Sequence, residues 1–267
     1  MKSSNRVIRQ MLTKEQLKEQ LSLLGVKEGM TLMVHASMKS FGYVCGGSET
    51  LIDAVLELLG YEGTLVVPLQ SSDNTEPSYW QNPPIDVSLY PEVRKHHPAF
   101  HMHHSDCSNM GVFVEGVRHR EGCIISSHPN AAFASVGKYA RFICRKHDLS
   151  FPFAENSPLK ACVDLKAHVL LLGVGFDRCT GLHYAEHLSK QRAILLQGSA
   201  MDTSEGRKWV KYLDYNHDSD DFVYIGEIMR KKNMVKEASI QTSVCQLFSL
   251  EDAVKEGVIW LSKQNVS

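Results

Sequence analysis

The residues best able to do chemistry lie in the segment Thr180-Gly181-Leu182-His183-Tyr184-Ala185-Glu186. If a helix begins near Leu182, positions 183 and 186 are three apart and share a face, so an imidazole and a carboxylate point into one pocket. Such a pair handles protons. Histidine titrates near neutrality, and a neighbouring carboxylate orients its ring and stabilises the imidazolium. Taken alone, the pair is equally compatible with an inconsequential surface contact. Its position decides otherwise, because it follows an apolar run and a glycine-containing turn, Gly173 to Gly181. Ligands in open α/β sheets bind in the crevice beyond the carboxyl ends of the strands. His183 and Glu186 are therefore read as the acid-base pair of an enzyme.

The same residues also spell His183-x-x-Glu186-His187, the inverted zincin pattern in which two histidines hold zinc and a glutamate activates water. No third ligand stands at a characteristic spacing, so the expectation is no metal, with a zinc-dependent hydrolase as the alternative. The cluster His96, His97, His101, His103 and His104 flanks Pro98 and Phe100 and reads as exposed loop imidazoles. A second candidate is the loop from His35 to Gly47. It offers backbone amides, the hydroxyls of Ser37 and Ser40, the Lys39 cation and glycines 42, 46 and 47 ahead of a helix start. Those are the parts of a phosphate cradle. The spacing matches neither a P-loop nor G-x-G-x-x-G, and Gly173-Val174-Gly175 lacks the third glycine of a dinucleotide fingerprint. No G-x-S-x-G elbow occurs, which removes the commonest serine hydrolase reading.

The elements that must position these groups alternate between helix and strand. Leu12 to Leu24 has helical apolar spacing, a capping box from Thr13 to Gln16, and Gly25 as its stop. Thr31 to His35 predicts a strand, Glu49 to Leu59 a helix opened by Gly46-Gly47-Ser48, and Thr64 to Val67 a second buried strand ending before Pro68. Ser71 to Val93, rich in Pro, Asn, Asp and Ser, predicts a long ordered excursion. Helices are predicted over Gly137 to His147 and Leu182 to Ala193, with a strand at Val169 to Leu172 between them. Phe222 to Ile225 reads as strand and Leu250 to Leu261 as the closing helix. The alternation implies an α/β fold with a central sheet layer flanked by helices. No composition break or repeat appears, so residues 1–267 are expected to form a single domain, with 1–11 a poorly ordered N-terminal segment.

Composition bounds the function. Of 267 residues, 43% are hydrophobic and 22% charged, the balance of an ordered globular protein. A formal net charge of -1 gives no global reason to bind nucleic acid or an anionic membrane. The start, Met1 to Gln10, is polar and basic without an apolar core, and no run of about 18 apolar residues occurs. A cytoplasmic enzyme without a membrane partner is expected; oligomeric state is not legible. The seven cysteines are scattered without a C-x-x-C pair and read as reduced thiols, mostly core fillers.

Several segments together, in order along the chain, resemble the aminoglycoside 3-N-acetyltransferase family, whose fold differs from that of the GNAT acetyltransferases. Val34-His35-Ala36-Ser37-Met38-Lys39-Ser40-Phe41-Gly42 with Gly46-Gly47 resembles its V-H-(A/S)-S-L-x-x-x-G…G-G block. Gln70-Ser71 with Asp73, Pro77 and Trp80-Gln81-Asn82-Pro83-Pro84 is similar to its second block. Asn109-Met110-Gly111, Ser126-Ser127-His128-Pro129 with Phe133-Ala134 and Gly137, Ser157-Pro158-Leu159, and Leu171-Leu172-Gly173 with the His183 segment follow.

The resemblance implies acetyl-coenzyme A as donor, an aminoglycoside or related small amine as acceptor, an antibiotic-resistance role and no metal. It implies His183 as general base with Glu186 beside it. It places coenzyme A against His35, Ser37, Met38, Lys39, Ser40, Gly42 and Val44, with Ser126, His128 and Ser157. An aminoglycoside is a polycation, and Asp73, Glu186 and Asp214 are the carboxylates expected to meet it. Cys45 or Cys179 as an acetylated nucleophile is the less favoured route, since a base that frees the amine suffices against a thioester.

Overall fold

The computed structural model describes residues 8, 10–71 and 73–264. Most of the N-terminal segment read above as poorly ordered, residues 1–7 and 9, therefore lies outside the described residues, as does position 72 of the long excursion. In chain order the elements are α1 (Lys14–Leu24), β1 (Thr31–Ala36), α2 (Gly47–Leu59), β2 (Thr64–Gln70), α3 (Tyr90–His96) and α4 (Val112–Arg118). There follow β3 (Ile124–Ile125), β4 (Ala131–Gly137), α5 (Ala140–Cys144), α6 (Pro158–Asp164), β5 (His168–Leu172) and α7 (His183–Ser189). The chain closes with β6 (Ile194–Thr203), β7 (Gly206–Tyr215), α8 (Phe222–Lys231), β8 (Lys236–Ile240), β9 (Ser243–Ser249) and α9 (Leu250–Gln264).

Seven strands form one mixed sheet in the order β3-β4-β2-β1-β5-β9-β8, and β6 and β7 form a separate hairpin. β1 runs parallel to both neighbours, Met33 pairing with Val66 of β2 and with Val169 of β5, while the outer strands are antiparallel. The central strands read as continuous apolar runs because both sheet faces are covered. Successive side chains point to opposite faces. Leu32, Val34, Leu65, Val67, Leu170 and Leu172 enter the core under α1, α2 and α4. Met33, Val66, Val169, Leu171, Phe133 and Phe248 enter the core under the later helices. From β1 the chain returns through α2 to β2 on one side, whereas β5 leads through α7 to elements on the other. The carboxyl ends of β1 and β5 thus open the crevice that a strand-order reversal creates.

The α/β fold with a helix-flanked central sheet is the one read from the sequence, and α1 carries its capping box and a left-handed Gly25 stop. Other boundaries move. β2 continues through Pro68 to Gln70, since the β1 ladder ends at Met33–Val66 and no longer demands a donor there. Gly137 ends strand β4, leaving a helix of only five residues at α5. The predicted excursion runs into α3, which begins at Tyr90 and ends at His96. The helix from His183 stops at Ser189, not Ala193, because Lys190 turns left-handed at φ 55°. Phe222 to Ile225 is helical, not extended: Phe222, Ile225, Gly226 and Met229 are all buried, the i, i+3, i+4, i+7 stripe of one helix face. The ten-residue strands β6 and β7 and the pair β8–β9 were not anticipated. No helix among the described residues is long and apolar enough to cross a membrane.

One glycine fixes how the two crevice-forming loops meet. Gly173, just after β5, sits at φ 66°, and a Cβ there would overlap Ser40 Oγ from the turn after β1. Ser40 Oγ also meets Ser243 Oγ at 2.8 Å and donates to Ser37 O at 2.7 Å. Gly173→Ala is expected to destabilise the fold by at least about 1–2 kcal/mol, the left-handed penalty alone. Urea unfolding measures it; an unchanged midpoint would contradict this account.

Candidate active site

A short 3-10 turn, Thr180–Leu182, delivers the chain from the β5 exit into α7, so that His183 is the first residue of that helix. The i,i+3 spacing is realised as a hydrogen bond: His183 Nδ1 donates to Glu186 Oε2 at 2.7 Å. A nitrogen that faces a carboxylate oxygen must carry the hydrogen, which leaves Nε2 as the basic nitrogen of the neutral ring. The ring is clamped, with Phe153 stacked at 5.0 Å and 17° and the Phe222 edge at 5.1 Å. Burial outweighs the Glu186 contact and, together with the nearby His217, lowers the His183 pKa below its ordinary value. His183 is thus held as a free base at neutral pH.

Glu186 is completely removed from solvent and accepts four hydrogen bonds. Oε2 takes Nδ1 of His183 and Nδ1 of His217, each at 2.7 Å, while Oε1 takes Arg192 Nε at 2.6 Å and the Asp218 amide at 3.0 Å. Arg192 continues to Asp221 Oδ2 at 2.7 Å. His217 Nε2 meets Asp214 Oδ1 at 3.1 Å. Burial disfavours the charged forms of both groups, yet the hydrogen bonds win. Those from the two histidines hold Glu186 well below the usual carboxylate range, and those to Asp214 and Glu186 raise His217 to about 9.

His183 stands on the wall of a cavity of about 720 Å³. His35, Ser37, Met38 and Lys39 border it from the β1 exit, Pro68 and Gln70 from the end of β2, and Asn109 and Met110 from the turn before α4. Asp177, Arg178, Cys179 and Thr180 border it from the β5 exit. His35 is buried, its Nε2 has no hydrogen-bond partner, and burial with the nearby His183 lowers its pKa to about 3. Burial pushes the Cys179 thiol up to about 12, so it is no thiolate nucleophile.

The groups around Glu186 are engaged with one another as a hydrogen-bond network. The donor atoms of His183, Glu186 and His217 lie within 4.8 Å of one another, but the two nitrogens sit at hydrogen-bond distance from one oxygen, and Arg192 already lies against the other. Those ring nitrogens carry hydrogens where a metal needs lone pairs. His187, the second histidine of the zincin-like pattern, is outside the set; its ring lies beside Tyr184 and Tyr215.

Of the residues singled out in the sequence, the structure gathers His35, Ser37, Met38, Lys39, Cys179, Thr180 and His183 on the cavity wall, with Glu186 behind His183. The others lie elsewhere for identifiable reasons. Ser40 braces Gly173 and Ser243, Gly42 makes the turn after it at φ 72°, and Val44 is a core residue bridged to Leu12. Ser126 and His128 are buried; Ser126 Oγ accepts from the Phe133 amide, and both His128 nitrogens meet backbone groups at Asn130, Ala131 and Leu149. Ser157 caps α6. Glu186 and Asp214 are buried, with their carboxylates hydrogen-bonded within the protein. Asp73 is exposed and pairs with His97 at 3.6 Å. His217, Arg192 and Phe153 were missed. The only signal for His217 was its i,i+3 spacing from Asp214.

The model of the aminoglycoside 3-N-acetyltransferase family matches residues 33–262. The chain is 33% identical over 249 residues to the SPbeta prophage-derived aminoglycoside N(3')-acetyltransferase-like protein YokD of Bacillus subtilis, covering 93% of this chain and 92% of that one. It is 30% identical to aminoglycoside N(3)-acetyltransferase VII of Streptomyces paromomycinus, covering 95% and 92%. The crystal structure of YokD superposes with a TM-score of 0.93 at 32% identity over 96% of both chains. The binary complex of AAC-IIIb with CoASH superposes with a TM-score of 0.85 at 26% identity over 96% and 98%.

Removing the shared acceptor tests the network. Glu186→Ala is expected to cost about 3–5 kcal/mol in denaturant unfolding, because it strands buried donors; a loss below about 1 kcal/mol would refute the buried network. Since the folded-state pKa of Glu186 lies below its unfolded value, its contribution is present above the ordinary carboxylate range and lost as pH falls through the folded value. The variant should therefore lose stability less steeply than wild type below about pH 4.

Proposed function

This chain belongs to the aminoglycoside 3-N-acetyltransferase family and is an acyltransferase, and we propose that it moves acetyl from acetyl-coenzyme A directly to an amine, with His183 as general base. The acceptor is the 3-amino group of an aminoglycoside or a related small amine. One observation carries this reading: His183 is fixed through Nδ1 on a buried carboxylate while its ring borders a cavity large enough for a ligand.

The amine attacks the thioester carbonyl, and its proton passes to His183 Nε2 as the N–C bond forms. Collapse of the tetrahedral intermediate breaks the C–S bond, and the imidazolium returns the proton to the departing thiolate or to solvent. The Ser37 amide already donates to Leu172 O at 2.9 Å. The Met38 and Lys39 amides, at the open first turn of the 3-10 segment, are the donors available for the oxyanion. Lys39 and Arg178, exposed cations on the cavity wall, suit the phosphates of coenzyme A. Asp177 on the wall, beside Arg178 at 3.1 Å, and the exposed Asp73 suit ammonium groups of the acceptor better than the buried Glu186 and Asp214 do. The zinc hydrolase alternative is not favoured, because Glu186 already accepts four donors.

His183→Ala should lose about 10²–10⁴-fold in turnover while still binding coenzyme A. Free thiol release with acetyl-coenzyme A and an amine panel reads turnover, and titration calorimetry reads binding. Wild-type turnover in that variant would remove the assignment.

A further inference from the structure

We propose that His217 is a positioning residue for the base: an imidazolium, shared between Glu186 and Asp214, that fixes the tautomer of His183 and limits its proton affinity. This rests on His183 being the base. The geometry sets the charge. His217 Nδ1 lies 2.7 Å from Glu186 Oε2 and Nε2 lies 3.1 Å from Asp214 Oδ1. Carboxylate oxygens only accept, so both ring nitrogens must donate, and a ring that donates twice is a cation.

His217 and His183 also share one oxygen. Their rings stand 4.7 Å apart, and both Nδ1 atoms point at Glu186 Oε2. With His217 and Arg192 anchoring the carboxylate from two sides, Oε2 is held where only Nδ1 of His183 reaches it, so Nε2 is the nitrogen left to the cavity. When His183 takes a proton from the acceptor, a second cation forms beside the first. That repulsion works against the Glu186 contact, so His183 rests as a free base and releases its proton readily after transfer.

The charged and titratable groups around His217 are Glu186, His183 and His187 from α7, Asp214 from β7, and Arg192 with Asp221 behind Glu186. Phe153 and Tyr215 supply the aromatic walls, at 5.0 Å and 6.4 Å between ring centroids. Two carboxylates touch His217 directly, which keeps it charged through the cycle. Only one, already shared, touches His183.

The test is the acidic limb of the kcat/KM profile in His217→Gln. Loss of the neighbouring cation should let His183 hold its proton more tightly and move the limb about one unit to higher pH, with activity recovering at alkaline pH. A limb that stays in place overturns the proposal. Should the variant not fold, nitrogen-15 spectra of the wild-type histidine rings decide it. The ring with cross-peaks to both Phe153 and Tyr215 should carry hydrogen on both nitrogens at pH 8, and a singly protonated ring there overturns it. If His183→Ala keeps turnover, the base assignment fails while the imidazolium signal persists. If the imidazolium is absent and His183→Ala is inactive, only this proposal fails.

Discussion

A carboxylate taken entirely out of water has to be hydrogen-bonded from every side and opposed by positive charge, and the site is organised around meeting that demand at Glu186. Its four donors come from three places in the chain: His183 at the start of α7, Arg192 three residues past the end of that helix, and the adjacent His217 and Asp218 beyond the β6–β7 hairpin. Satisfying one oxygen pair therefore fixes the position of the hairpin exit, the α7 end and the His183 ring together. Lys190 turning left-handed at the end of α7 brings Arg192 back toward Glu186, which a helix continued to Ala193 would not do.

The sheet supplies the other half of the site. Parallel pairing of β1 with β2 and β5 sends the exits of β1 and β5 to the same edge, and the chain leaves them in opposite directions. The opening between them is lined by main chain from two loops held together by Ser40, Gly173 and Ser243. Residues of the β1 exit thus divide labour. Ser37 to Lys39 border the cavity, whereas Ser40 to Val44 hold the loop against the core.

Two further histidine environments show how burial separates like residues. His128 is buried against the Leu149 carbonyl and the Asn130 and Ala131 amides, and the half-buried His147 meets the Pro152 carbonyl and the Ser126 hydroxyl; burial lowers their pKa values to about 4 and about 3, and both serve as neutral struts. His217, largely enclosed but placed between two carboxylates, is driven the other way. Partners, not burial alone, decide the charge of a histidine here.

The sequence by itself determined the α/β class, the central strands, the caps of α1 and the His183–Glu186 pairing, because these depend on local spacing: alternation, helical periodicity and i,i+3 neighbours. It also marked the β1 exit as part of the site through its small and polar residues ahead of a helix. It misread Phe222 to Ile225, where four apolar residues fit either a strand or one helix face until Gly226 and Met229 complete the stripe. Only the tertiary structure shows that Glu186 is buried, that Ser126, His128 and Ser157 are taken up by hydrogen bonds to the backbone, and that His217 shares Glu186 with His183. Those outcomes depend on contacts between residues far apart in the chain, 32 positions for Asp218 and Glu186 among them, and no local pattern encodes them.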